Sequence, residues 1–282
     1  MHGARVPLLS SRRILVHLAL CAGACVMLYP LFWLASSSLK PSNQIFTDTG
    51  LWVSEPRFRN YVDGWNGAAL PFSVFFANSF TIAALAVVGN VLACSLVAYA
   101  FARLQFAFKR TLFAMMLTTI MLPLHATLIP QYILFFNLGW VNTILPLVVP
   151  KFLASDAFFI FLMVQFFRGI PRELDEAAMM DGCSAWRIYW KIMLPLSLPV
   201  LATAAIFSFI WTWDDFFGPL IYLQDPMKYP LSLGLFAFRS MRTQEWALIM
   251  TGATLTVLPL IVVFLFTQRY FIRGVSMTGL KG

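Results

Sequence analysis

Charge is scarce in this chain: Asp, Glu, Lys and Arg together make up 11% of its 282 residues, and only 12 are acidic. Soluble domains carry about 25% charged residues, so the shortage excludes a water-soluble enzyme. Histidine is rarer still. The three, His2, His17 and His125, are too scattered to form an acid–base or metal site. Four cysteines, Cys21, Cys25, Cys94 and Cys183, match no metal-ligand spacing, and three of them lie in apolar runs where a thiol behaves as a small hydrophobe. We expect no disulfide and no bound metal. Also missing are the G-x-x-x-x-G-K-S/T loop that cradles nucleotide phosphates, the H-E-x-x-H zinc pair and the G-x-S-x-G nucleophile turn. No catalytic residue is assigned, and no cofactor is expected in this chain. Any energy for work must reach it from another subunit or from a gradient. There is no internal repeat or low-complexity tract.

What is plentiful is apolar: 60% of residues are hydrophobic, with 28 Phe and 9 Trp, and the mean hydropathy is +0.78. Such a chain is an integral membrane protein. Runs at 14–34, 80–101, 111–133, 145–167, 200–223 and 247–266 each have the roughly 20 residues that cross about 30 Å of hydrocarbon at ~1.5 Å per residue. Six such spans leave too little chain for a separate soluble domain. We therefore expect one all-α, polytopic membrane domain over 1–282. The fourth run is the least regular, because Pro150, Lys151 and Asp156 interrupt its early part. Ser11-Arg12-Arg13 before the first run looks like part of a twin-arginine export signal. The uncharged stretch that follows exceeds the roughly 7 to 15 residues of a signal core and leads to no A-x-A site, so we read it as an uncleaved first helix.

Net charge is +8. In a soluble protein this balance would raise the question of nucleic acid. In a membrane protein it follows from the collection of Lys and Arg in cytoplasmic loops, and no nucleic-acid partner is implied. If the N-terminus is inside, the inner segments hold 13 basic residues: Arg5, Arg12, Arg13, Arg103, Lys109, Arg110, Arg168, Arg172, Arg187, Lys191, Arg269, Arg273 and Lys281. The outer loops hold 6, namely Lys40, Arg57, Arg59, Lys228, Arg239 and Arg242. That bias favours both termini in the cytoplasm. The outer loops at 36–78 and 224–246 are longer than connectors require, and both contain Pro, Gly and Trp.

One cytoplasmic segment, 168–199, is unlike the rest and contains Glu173, Asp175, Glu176 and Asp181. Pro171 suits the first turn of a helix, where its missing N–H costs nothing. The acids after it complement the positive end of the helix dipole, and Gly182 suits a left-handed cap just past the end. A short helix, a sharp turn and a second helix from about Ser184 to Leu194 are predicted. The second, with Trp186, Tyr189 and Trp190 among Arg187 and Lys191, suits a membrane surface. In the first, Ala177 and Ala178 form a small-residue face that lets another surface come close, while Leu174, Met179 and Met180 supply apolar contacts. For the Asp181-Gly182 pair alone, an ordinary surface turn is the simpler account.

As a whole, Glu176-Ala177-Ala178-Met179-Met180-Asp181-Gly182 followed by Leu194-Pro195-Leu196-Ser197-Leu198-Pro199 closely resembles the E-A-A-x-x-D-G loop and trailing L-P-L-x-x-P of the membrane subunits of binding-protein-dependent ABC importers. Asn78-Ser79-Phe80, the stretch Ala98 to Arg103, Leu122-Pro123, Ile129-Pro130, Gly139 to Thr143, Trp211 to Phe216 with Pro219, and Gln268 to Gly274 are similar to MalG-type carbohydrate permeases. The resemblance implies a six-helix permease of the inner membrane. Its implied partners are a homologous second permease, two ATPase subunits that bind ATP and Mg, and an extracytoplasmic solute-binding protein. It also implies that the helix within 171–182, through Glu173, Leu174, Glu176, Ala177, Ala178, Asp181 and Gly182, couples to the ATPase, with a sugar or sugar-like solute as cargo. A gradient-driven secondary transporter is the alternative, which would not need the docking helix.

Ionisable residues inside a membrane are functional candidates because burying them is costly. Asp214 and Asp215, beside Trp211 and Trp213, form the clearest pair, since a carboxylate next to an aromatic face suits sugar hydroxyls. The competing account places these acids near the outer interface in structural hydrogen bonds. The family commonly has Trp-Asn where this chain has Trp213-Asp214, which adds a carboxylate. His125 and Gln131, between Pro123 and Pro130, are further pathway candidates. A proline in a span frees a carbonyl that can face a water-filled cavity, although a packing kink accounts for the prolines equally well.

Overall fold

The computed structural model describes the backbone at residues 11–67, 70–241 and 245–278, and side chains at 13–67, 70–123, 126–239 and 245–268. Among the described residues there is no strand. A chain this apolar is driven to helix, because only a helix or a closed barrel satisfies its backbone N–H and C=O groups where water is absent. In chain order the helices are α1 (Ser11–Ser38), α2 (Arg59–Asn66), α3 (Phe72–Arg103), α4 (Lys109–Thr119), α5 (Leu124–Asn137), α6 (Leu145–Phe152) and α7 (Ala157–Gly169). There follow α8 (Glu173–Met180), α9 (Ala185–Leu196), α10 (Leu198–Asp214), α11 (Phe217–Tyr222), α12 (Leu231–Met241) and α13 (Trp246–Thr278).

Among the described residues, four helical stretches are long and apolar enough to cross a membrane: Arg13–Ser38, Phe72–Arg103, Leu145–Gly169 and Trp246–Gln268. A fifth is counted if α9 and α10, which meet at a bend of 77°, form one broken span. The run expected at 111–133 differs from a continuous helix. It is divided between α4 and α5, with Pro123 extended at the cap of α5 (ψ 135°), because proline has no N–H to carry the ladder through. The run expected at 200–223 stops at Asp214 and restarts in α11. Inside α9, residues 189–193 form a π turn in which the Leu194 N–H donates to Tyr189 O. Pro195 follows directly, and a proline beside a widened turn is a usual cause of such a bulge.

Two compact units divide the chain. The first comprises Met1–Ala68 and Phe238–Leu255. Here the loop after α1 is folded around polar groups. Lys40 is almost fully buried, and its Nζ donates to the carbonyls of Asp48 and Gly50, at 2.6 Å each. Asn60 Nδ2 donates to Ser38 O and Lys40 O. The start of α13 joins the same network: Thr251 Oγ1 donates to Ser38 O at 3.3 Å and the Ala247 N–H to Ser42 Oγ at 3.2 Å.

The second unit comprises Ala69–Ala237 and Thr256–Gly282, and α3 is its centre, packed against α6, α7 and α10. Its core-facing positions are mostly small: Ser79, Ala83, Ala86, Gly89, Asn90, Cys94, Ser95 and Ala98 are buried. Small residues let helices approach closely in a membrane, where association rests on packing and interhelical hydrogen bonds. Gly89 shows how closely, since a Cβ there would lie 2.5 Å from the Phe152 ring. Asn90 Nδ2 donates to Ser208 Oγ at 3.1 Å, a polar tie between α3 and α10.

Candidate functional site

A cavity of about 920 Å3 lies inside the second unit. Ser79 and Ile82 of α3, Gln131 of α5, Lys151 of α6, Asp156 before α7, and Trp211, Thr212, Asp214 and Asp215 at the end of α10 contribute to its wall. The breaks described above explain its polarity. Where α6 gives way to α7, Ala154 takes a left-handed conformation (φ 54°), and Lys151 on one side of the break pairs with Asp156 on the other, Nζ to Oδ2, at 2.8 Å. Where α10 gives way to α11, Asp215 Oδ1 accepts the Gly218 N–H at 3.1 Å, and its carbonyl accepts from Ser232 Oγ at 2.7 Å. Asp215 is thereby a helix cap as well as a cavity group.

Its neighbours divide. Trp211 is 49% exposed, lines the cavity, and is backed by the rings of Phe158, Phe159 and Phe207 at centroid distances of 5.1 to 5.9 Å. Asp214 is exposed to the same space and makes no hydrogen bond or ion pair among the described residues. Trp213 points elsewhere: it is buried, its Nε1 donates to Thr256 O at 3.1 Å, and it meets Phe80 edge-on. Gln131 is exposed on the cavity wall. The side chain of His125 lies outside the described residues.

At the other end of α3, α8 covers Glu173–Met180, and its C-terminus is built as the sequence suggests. Gly182 is left-handed (φ 74°). Its N–H donates to Met179 O and the Cys183 N–H to Ala178 O, the paired bonds of a Schellman cap. An added Cβ at Gly182 would meet nothing within 4 Å, so the backbone conformation alone calls for glycine. Asp175 and Ala178 are buried, whereas Glu173, Leu174, Glu176, Ala177, Met179, Met180 and Asp181 are exposed. Leu174, Met179 and Met180 are apolar and exposed, at 42%, 56% and 89%. On the side that meets the core, Arg103 Nε lies 3.1 Å from Asp175 Oδ2. Lys109 faces Arg168 and Arg172; burial first, and then those two like charges, holds its amine below the ordinary value.

The family model described as "Binding-protein-dependent transport system inner membrane component" matches residues 90–277. The chain belongs to this family. The permease is 33% identical over 254 residues to the probable ABC transporter permease protein YurM of Bacillus subtilis, covering 90% of this chain and 84% of that one. It is 32% identical to the arabinooligosaccharides transport system permease protein AraQ of Halalkalibacterium halodurans, over 92% and 93% of the two chains. Its fold matches that of a bacterial ABC transporter involved in the import of the acidic polysaccharide alginate, with a TM-score of 0.80, 24% identity and coverage of 94% and 100%. It is thus a multi-pass permease component of an ABC importer, which works with ATPase and binding-protein subunits. In the permease, the pairings that the sequence reading did not assign are Arg103 with Asp175 and Lys151 with Asp156. The second had a signal, since two charges interrupting an apolar run are costly unless paired. The first had none, because only the packing of α8 on α3 brings Arg103 and Asp175 together.

Proposed function

We propose that this permease is one of two homologous halves of an importer for a sugar or sugar-like solute in the cytoplasmic membrane. ATP and Mg are bound by two partner ATPase subunits, and an extracytoplasmic protein delivers the solute. Relatives named for arabinooligosaccharides, galactooligosaccharides and diacetylchitobiose support the solute class. The observation that carries it is the exposed face of Trp211 beside the unpaired Asp214 carboxylate in a cavity inside the bundle. An indole face stacks on the C–H surface of a pyranose or furanose ring, while carboxylate and amide oxygens accept from hydroxyl groups. Asp215 and Gln131 extend the polar side, and Trp213 supports the wall from behind.

The exposed face of α8 is the ATPase-docking surface, with Leu174, Ala177, Met179 and Met180 seated in a cleft, Glu173, Glu176 and Asp181 around them, and the Gly182 cap fixing the helix end. Both termini are cytoplasmic, which places α8 on the ATPase side and agrees with the 13 to 6 distribution of basic residues. The test is import into proteoliposomes that contain the complete importer. Trp211→Ala and Asp214→Ala should each lower solute import about tenfold, the effect of losing roughly 1.4 kcal/mol of solute contact, with the ATPase subunits still bound. Normal import by both variants would rule out this cavity as the solute pathway.

A further inference from the structure

The outward residues of α8 account for docking, but not for how a push on so short a helix reaches a cavity at the far end of the bundle. The inward side contains one charged residue. Asp175 is in the first turn of α8 with its side chain 11% exposed, and the Arg103 guanidinium beside it is 5% exposed. Burying both charges is expensive unless they serve each other, and a solvated acid would suit a helix N-terminus as well. The energetically simpler choice would have been an apolar residue.

Arg103 is the last residue of α3, and its one guanidinium touches three elements. Nε lies 3.1 Å from Asp175 of α8. Nη2 donates to Ile170 O, the residue that ends α7, at 2.7 Å, and lies 3.9 Å from Met193 Sδ in the π turn of α9. Two more polar contacts join the same stretch of α3 to α9: Tyr99 Oη donates to Ala185 O at 3.0 Å, and Ser95 Oγ and Tyr189 Oη are 2.7 Å apart. From this anchorage α3 runs uninterrupted for 32 residues, about 48 Å at ~1.5 Å per residue. Its other end carries Ser79 and Ile82 in the cavity wall and Asn78, whose Nδ2 donates to the carbonyls of Met227 and Tyr229.

We propose that Arg103 and Asp175 are positioning residues that clamp the inner face of α8 to the end of α3, so that displacement of α8 becomes displacement of the cavity wall. The proposal rests on the reading of α8 as the ATPase-docking helix. Through Nη2 the guanidinium bonds to Ile170 O and Met193 Sδ, and its charge meets the Asp175 carboxylate at 3.1 Å, so one side chain ties α7, α8 and α9 to the end of α3, which a single apolar contact does not. Coupling requires an element with two arrangements that both sites bias, and α3 with α8 pinned to it is such an element.

The experiment uses the complete importer in proteoliposomes and measures ATP hydrolysed per solute imported. Three variants are compared: Asp175→Asn, the double variant Arg103→Met with Asp175→Leu, and Ala177→Trp. Asp175→Asn should retain bound ATPase subunits and raise the ATP-to-solute ratio on the order of tenfold, within the usual range of coupling effects. The double variant removes both charges at similar volume and should raise the ratio likewise, which keeps the test open if the single variant fails to assemble. A merely stabilising ion pair would change protein yield or melting and leave the ratio at the wild-type value. An unchanged ratio in whichever of these two variants assembles overturns the clamp. Ala177→Trp separates the two ideas: loss of bound ATPase there, with normal coupling in the other two, rejects the clamp alone, whereas normal assembly and import by Ala177→Trp rejects the docking face and the clamp with it.

Discussion

Gly182 shows how a single residue can be required for its backbone alone. Its left-handed φ of 74° closes α8, while the space around it is open. Gly182→Ala should therefore cost about 1 kcal/mol, the penalty of that conformation for an L side chain. Asn, which tolerates the region, should cost less. Hydrogen exchange of the 173–180 amides reads this directly: about fivefold faster local opening in the alanine variant and a smaller change in Gly182→Asn. Equal exchange in wild type and alanine variant would mean that the cap does not hold the helix end. At this scale the sequence was informative where chemistry is local. Gly182, the acids of the first turn and the apolar outward residues of α8 could all be read from spacing. The roles of Trp211 and Trp213 could not, since both are aromatic on one helix and only packing decides that one faces the cavity while the other donates to Thr256 O.

Among the elements, the broken spans matter most. Hydropathy counts apolar residues over a window and is blind to a two- or three-residue interruption, which is why 111–133 and 200–223 read as continuous. The interruptions at 153–156 and at Asp215 place polar backbone and side chains against the cavity, where such groups are tolerated at membrane depth. The short α8 was legible and its inner face was not, because Asp175 looks like one more first-turn acid until α3 is packed beneath it. Replacing the outward Met180 with Asp adds a charge without touching the core. Met180→Asp should reduce the amount of ATPase subunit that co-purifies with the permease several-fold, while the melting temperature of the separated permease stays within about 2 °C. Full ATPase retention would place the docking surface elsewhere.

For the whole molecule, the distribution of scarce charge is the basis of the proposed orientation. Cysteines placed singly at the exposed Trp52 and Phe108, in a chain whose four native cysteines are replaced by serine or alanine, report it with a membrane-impermeant thiol reagent. Labelling of intact cells should occur at position 52 and be absent at 108, which should react only after the membrane is opened. The reverse pattern would invert the topology and move α8 to the wrong side for an ATPase.

The buried polar network of the loop after α1 carries a consequence for how the protein is made. Ser38 O and Ser42 Oγ leave the ribosome well before two of their partners, Thr251 Oγ1 and the Ala247 N–H, which follow 213 and 205 residues later. Until α13 has been made and packed, those bonds stay unmade. Biogenesis of this permease is therefore closed late: α13 acts as the latch on the loop after α1, and a chain cut short before α13 leaves that loop without those bonds.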